Sequence, residues 1–139
     1  MQAQAERDGP ETAARKGWMS VLAQAPAPRL MALWDGLGAP PEHAVLRPPE
    51  IGAVMVRGRA GGDGAAFNLG EMTVTRCSVR LATGEVGHAW RPGRDREAAR
   101  AAALADALLQ GPQAARVEAA LVAPLRAEAE AKAREAAEK

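Results

Sequence analysis

The residues of this chain best suited to chemistry lie close together. Cys77 is the sole cysteine, and His88, one of two histidines, follows it within the segment TRCSVRLATGEVGHAW. A cysteine beside a histidine is a nucleophile and its base if the fold brings them together. A hairpin turning at Thr83-Gly84 places Leu81 opposite Val86, Val79 opposite His88 and Cys77 opposite Trp90. A four-residue loop, Ala82 to Glu85, gives the same register, because both loops hold an even number of residues. Thr75, Cys77, Val79, Leu81, Val86, His88 and Trp90 are then expected on one face. That face carries most of the apolar residues, so it reads as the core side. Cys77 there is a small buried hydrophobe and His88 a half-buried histidine with a satisfied ring.

Other chemistries fall away on ligand count and spacing. His43 and His88 are far apart and no cysteine pair exists, so the sequence offers no metal-ligand set. Gly61-Gly62-Asp63-Gly64 resembles a phosphate loop but lacks the Gly-Lys-Ser/Thr ending, and Phe67 stands where a dinucleotide fingerprint requires its last glycine. It reads as a hairpin turn. No catalytic residue, cofactor-binding residue or metal ligand is assigned.

The opposite face is expected to carry Arg76, Ser78 and Arg80, with Gly87, Ala89 and Arg91 across from them. Gly87 opposite Arg80 leaves space beside a guanidinium, and Arg76 opposite Arg91 sets like charges side by side. Two readings stay open: a solvated charged face, or an arginine platform for an acidic partner or a phosphate-bearing ligand. Arg76, Arg80, Arg91, Trp90 and Arg94 are the candidates for subunit-interface or ligand contacts.

The elements that position these residues are legible in the periodicity. Residues 1–10 read as a disordered N-terminus, 11–125 as one α+β domain and 126–139 as a charged, Ala-rich helix. Thr12 is placed to cap a helix bearing Trp18, Met19, Val21 and Leu22, which stops near Pro26. Pro28 opens a second helix, with Leu30, Leu33, Trp34 and Leu37 at i, i+3, i+4, i+7. Ala44–Arg47, Ala53–Arg59, Phe67–Leu81 (broken near Gly70) and Val86–Arg91 read as strands joined by tight turns, an antiparallel meander. Asp95 caps a helix with Ala101, Leu104, Ala105 and Leu108 on one stripe. A last helical run is kinked at Pro124 and carries the i, i+4 pairs Glu128/Lys132, Glu130/Arg134 and Glu135/Lys139. The fold class is α+β, a central antiparallel meander flanked by N-terminal helices and two C-terminal helices.

Composition sets the outer limits. The chain has 139 residues, 47% hydrophobic but only 3% aromatic, so its core is small and rich in alanine. A net charge of +1 gives no field for nucleic acid or an anionic membrane. Residues 51–96 nevertheless hold seven arginines and no lysine against four acids. A lone cysteine suits a reducing compartment, and the first residues lack an apolar leader, so a soluble cytoplasmic protein is expected.

RKGWMSVLA (Arg15–Ala23), FNLGEMTVTRCSVRL (Phe67–Leu81), GEVGHAW (Gly84–Trp90), GRD (Gly93–Asp95), ALADAL (Ala103–Leu108) and LVAPL (Leu121–Leu125) together resemble the PhnG family, the small subunit of the carbon–phosphorus lyase core complex. The resemblance runs in order over residues 15–125. It implies phosphonate breakdown, with PhnH-, PhnI- and PhnJ-type subunits as partners. With PhnI, PhnH and PhnL, such a subunit supports displacement of adenine from MgATP by an alkylphosphonate, giving α-D-ribose 1-alkylphosphonate 5-triphosphate. The nucleosidase-type step is attributed to the PhnI subunit, and the later radical cleavage to PhnJ with its iron–sulfur cluster. An accessory role follows, with MgATP a substrate of the complex and no cofactor on this chain. Family members usually continue into an aromatic tail ending in Arg-Gly, whereas this sequence reaches Lys139 in an Ala/Glu/Lys run. The alternative is a free-standing small domain that binds a phosphorylated ligand on its arginine face.

Overall fold

The computed structural model describes residues 10–59 and 66–138. The expected disorder of residues 1–10 (Pro10 apart) and the glycine turn at 61–64 lie outside the described residues. Two helices, α1 (Pro10–Gln24) and α2 (Ala27–Asp35), lead into strands β1 (His43–Arg59), β2 (Ala66–Leu81) and β3 (Val86–Pro92). Helix α3 (Arg96–Leu108), a short α4 (Ala114–Val117), a π-helical stretch at Glu118–Val122 and a long α5 (Ala123–Glu138) follow. The strands form one antiparallel sheet in the order β1-β2-β3, so the α+β reading holds.

The N-terminal boundaries follow local chemistry. Helix α1 begins at Pro10, a residue whose fixed φ suits a first turn, so Thr12 lies inside the helix rather than at its cap. Leu30 and Trp34 of α2 are buried and Leu33 and Leu37 partly so, as their spacing requires. Asp95 caps α3 by accepting the Ala98 N–H at 2.9 Å.

Strand β1 is one 17-residue element, not two short strands separated by Pro48-Pro49. Its pairing with β2 shifts between Val45 and Arg47 and again between Arg47 and Glu50. Proline cannot donate to the ladder, so Pro48 and Pro49 sit in a bulge of an edge strand instead of ending it. A third shift, between Val56 and Arg57, falls beside Gly70, the break expected in β2.

The β2–β3 register differs from the expected one by a single residue. Arg80 pairs with Val86, Ser78 with His88, Cys77 with Ala89, Arg76 with Trp90 and Thr75 with Arg91. The connection is a three-residue loop, Ala82-Thr83-Gly84. The Gly84 N–H donates to Leu81 O at 2.8 Å, and the Leu81 N–H donates to Glu85 O at 2.9 Å. Gly84 takes φ 108°, the left-handed residue that such a loop requires. An odd loop inverts the faces of the following strand relative to an even one. Thr75, Cys77, Val79 and Leu81 do face the core, but their companions on β3 are Gly87, Ala89 and Arg91. His88 and Trp90 move to the outer face, beside Arg76, Ser78 and Arg80. The like-charge pair of Arg76 and Arg91 does not exist.

Helix α3 closes the inner face. Ala98, Ala99, Ala101, Ala102, Ala103, Ala105 and Ala107 are all buried. Alanine is small enough to let a helix backbone lie close to a sheet, and at Gly87 that approach is extreme. A Cβ on Gly87 would lie 2.0 Å from Ala103 O and 2.7 Å from Ala107 N. Gly87 therefore makes room for a helix, not for the Arg80 guanidinium. Beyond α3, Pro124 is accommodated by the π-helical stretch at Glu118–Val122, which widens the helix just before a residue that lacks an N–H.

Gly87→Ala forces backbone against backbone, because the atoms it meets, on Ala103 and Ala107, include no flexible side-chain tip. A loss of about 1–3 kcal/mol or more is expected, read as a lower urea midpoint in equilibrium unfolding. An unchanged midpoint would contradict this packing.

Candidate functional site

Beneath the sheet lies a buried carboxylate. Asp106 of α3 has no solvent exposure. Its Oδ1 accepts from Trp18 Nε1 at 2.8 Å and from Arg15 Nε at 3.2 Å. Its Oδ2 accepts from Arg15 Nη2 at 2.8 Å and from the His88 backbone N–H at 2.9 Å. Arg15 and Trp18 stand at i, i+3 on α1, so one helix face presents both donors. The hydrogen bond to Asp106, helped by the Asp106 charge and opposed by burial, raises the Arg15 pKa above its ordinary value. With every lone-pair direction used and no oxygen open to solvent, this is a structural tie rather than a general base. The sequence reading passed over Asp106. The signal was an acid amid alanines and leucines in ALADAL, since a carboxylate on an apolar stripe needs donors.

Arg91 also belongs to the structure and not to a binding face. It is 5% exposed, and its guanidinium donates to Leu22 O and, at 2.6 Å, to Ala25 O. These carbonyls end α1, where a cation compensates the helix terminus. Burial pulls the Arg91 pKa down, with nearby Asp95 opposing. Arg91 is therefore corrected from an interface candidate to a buried helix cap.

Cys77 lies on the core face, 1% exposed, opposite Ala89. Burial pushes its thiol pKa up, with Arg100 opposing, so the reactive thiolate is disfavoured. Cys77 and His88 lie on opposite faces of the sheet and form no nucleophile pair.

The outer face gathers the remaining candidates. Along β2 it presents Arg76, Ser78 and Arg80. On β3 it presents His88 beside Ser78 and Trp90 beside Arg76, and on β1 Arg47 beside Ser78 and Glu50 beside Arg76. Arg76, Arg80, His88 and Trp90 are exposed, and Ser78 Oγ lies 2.8 Å from His88 Nδ1. Arg47 contacts Glu50 at 3.7 Å. Arg94 is exposed in the turn after β3, away from the paired rows. Ser78 is on this face as expected, whereas Arg47 and His88 join it only through the observed register. Among the described residues no group of three or more His, Cys, Asp and Glu side chains is placed to hold a metal ion.

Apolar surface borders this face. Val45, Leu46, Met55 and Trp90 are exposed. The strands β1 and β2 run past the end of β3 as a two-stranded ribbon in which no described β1 side chain is buried. No helix among the described residues is long and apolar enough to cross a membrane.

A model of the family described as phosphonate metabolism protein PhnG matches residues 13–139. The chain belongs to the PhnG family. A relative from Rhizobium meliloti (strain 1021), named alpha-D-ribose 1-methylphosphonate 5-triphosphate synthase subunit PhnG, is 49% identical over 110 residues, covering 79% of this chain and 70% of that protein. The blocks that carried the resemblance are those that build the PhnG fold here. RKGW and ALADAL supply the Asp106 tie, GEVGHAW the turn at Gly84 and the close approach at Gly87, and GRD the cap at Asp95.

Asp106→Ala leaves the Trp18 and His88 N–H groups without an acceptor and Arg15 without its partner. A loss of about 3 kcal/mol is expected, at the low end for a broken buried pair because Arg15 stays partly hydrated. Calorimetric unfolding checks it; a melting temperature within one degree or so of the parent would rule out the tie as a major stabiliser.

Cys77→Ser puts a hydroxyl in an apolar site, with an expected stability loss of about 1–3 kcal/mol and unchanged turnover in any assembled complex. A loss of turnover in a correctly assembled complex would give Cys77 a chemical role.

Proposed function

We propose that this chain is an accessory subunit of alpha-D-ribose 1-methylphosphonate 5-triphosphate synthase, acting in organophosphonate catabolism. The 49% identity to a protein of that name over most of the chain carries the reading. The geometry agrees with an accessory part. The Asp106 carboxylate is buried and fully donated to, Cys77 is buried, and the His88 ring is hydrogen-bonded to a serine hydroxyl. Adenine displacement from MgATP by an alkylphosphonate is then carried by a PhnI-type subunit, with PhnH-, PhnJ- and PhnL-type proteins as further partners in the cytoplasm. This chain binds no cofactor of its own, and MgATP is a substrate of the complex.

The contact surface is the outer face of the sheet with its apolar border. Trp90, Arg76 and Arg80 are of the residue types that dominate interface energetics, and Arg94 follows in the exposed turn after β3. The exposed ribbon adds apolar area that a hairpin in water does not cover by itself.

The isolated chain should release no adenine from MgATP and methylphosphonate, while the complex reconstituted with PhnG-, PhnH-, PhnI- and PhnL-type subunits turns over. Trp90→Ala should keep the melting temperature of the isolated chain and lose about 2 kcal/mol or more of affinity for the other subunits, a 30-fold rise in Kd. Turnover by the isolated chain, or no association with any of those subunits, would refute the reading.

A further inference from the structure

The bulge at Pro48-Pro49 has shaped a hollow on the outer face. Two prolines stand between Arg47 and Glu50 on β1, whereas Cys77 alone separates their partners Ser78 and Arg76 on β2. The extra residue arches the edge strand and re-aims the side chains on either side of it. Below the arch is a hollow of about 150 Å³ lined by Arg47, Glu50, Ile51, Gly52, Ala53, Val74 and Arg76. Gly52 and Val74, both lining residues, face each other across the strands; Gly52 carries no side chain to fill the space, and Val74 is buried. Two arginines thus line one small space. The next row of the sheet sets the Ser78 hydroxyl beside Arg47, with His88 Nδ1 at 2.8 Å from it, and Arg80 follows two residues on.

We infer that this hollow binds a tetrahedral phosphorus oxyanion, the terminal PO₃ group of a phosphate or a phosphonate. Guanidinium forks at one hollow match such a group in charge and in donor geometry. With the Nδ1–H tautomer of His88 donating to Ser78 Oγ, the Ser78 hydroxyl in the next row of the sheet keeps its own proton free to donate to the anion. Of the side chains at the paired positions of this face, Glu50 is the acid. Its 3.7 Å contact with Arg47 is long for an ion pair, and both side chains are more than half exposed, so it competes weakly with an incoming dianion. A broad acidic protein surface would fit a flat array of arginines as well. The small volume of the hollow, about 150 Å³, favours the small anion. The hollow shares Arg76 with the proposed contact surface, but anion binding is a property of this chain by itself and is measured without the other subunits.

The test is titration of the isotopically labelled full chain, at constant ionic strength, with inorganic phosphate, methylphosphonate and tripolyphosphate. Saturable shifts are expected at Gly52, Arg76, Ser78 and the His88 ring, and the tightest of the three anions identifies the head group. Arg76→Gln should weaken binding about tenfold or more and Ser78→Ala about fivefold, the effects of one charge-assisted and one neutral hydrogen bond. Glu50→Gln should tighten it, which a merely structural role for Glu50 would not produce. All three side chains reach the surface, so unchanged melting temperatures are the control. Shifts spread evenly over the arginines, or no saturation by any of the anions, would overturn the proposal. So would variants that lose association with partner subunits while phosphate never binds, since that pattern belongs to a carboxylate-bearing protein partner. Failure of the chain to assemble with other subunits, with phosphate binding intact, would count against the proposed function and leave this site standing.

Discussion

The architecture hangs on one buried carboxylate. Asp106 is where α1, α3 and β3 meet, and it binds a guanidinium, an indole N–H and a backbone amide at once. A buried charge costs several kcal/mol unless it is paired and hydrogen-bonded, so α1 cannot dock in another register without stranding it. The same contact closes an edge. The His88 N–H goes to Asp106 and the Val86 carbonyl accepts from Gln110 at 2.8 Å, so two of the edge groups of β3 are already taken and are withdrawn from pairing with a foreign strand. The tie is directional, and that specifies the packing where alanines cannot.

Alanine is otherwise the main material of the interior, and its use explains how a chain with 3% aromatic residues makes a core. Each alanine buries little area, but a helix of alanines lies nearly on the sheet, where Gly87 lets two backbones touch. Leu22, Leu30, Trp34, Leu121 and Leu125 belong to the same core cluster. Close backbone approach replaces large side chains, and the tolerance for error is correspondingly small. Arg91 completes the arrangement from the far side by closing the end of α1 with a buried cation.

One consequence is a division of labour between the two faces of the sheet. The inner face is fixed by the Asp106 tie, the alanine helix and the Arg91 cap. The outer face is left with arginines, a Ser–His contact, an exposed tryptophan and a bulged edge strand, none of which the core requires. A subunit of a multi-protein synthase needs such a surface, and so does a chain that holds a small anion. The long α5 is similarly free of the core beyond Leu125. Glu128 reaches Arg29 of α2 at 3.0 Å, and the rest of that helix to residue 138 is largely exposed.

Much of the fold was legible in the sequence because it is local. The apolar stripe of α2, the Asp95 cap and the helix following it, the valine-rich strands and the family blocks gave the α+β meander in the right order. The inner face of β2 was also legible, since Thr75, Cys77, Val79 and Leu81 alternate with charges. The faces of β3 were not. Gly87, Ala89 and Arg91 look like poor core residues, and His88 and Trp90 look like better ones. The parity of a three-residue loop decided otherwise, and the helix packed on Gly87 holds that choice in place. Asp106 and Arg91 illustrate the same limit: a charged side chain reads as surface until its partners, here mostly residues more than sixty positions away, are brought to it. The sequence by itself therefore determined the elements and the family. Tertiary structure alone decided which charges are buried and which arginines meet at the outer face, because hydrogen-bond partners distant in sequence, and not periodicity, settle where a polar group can stand.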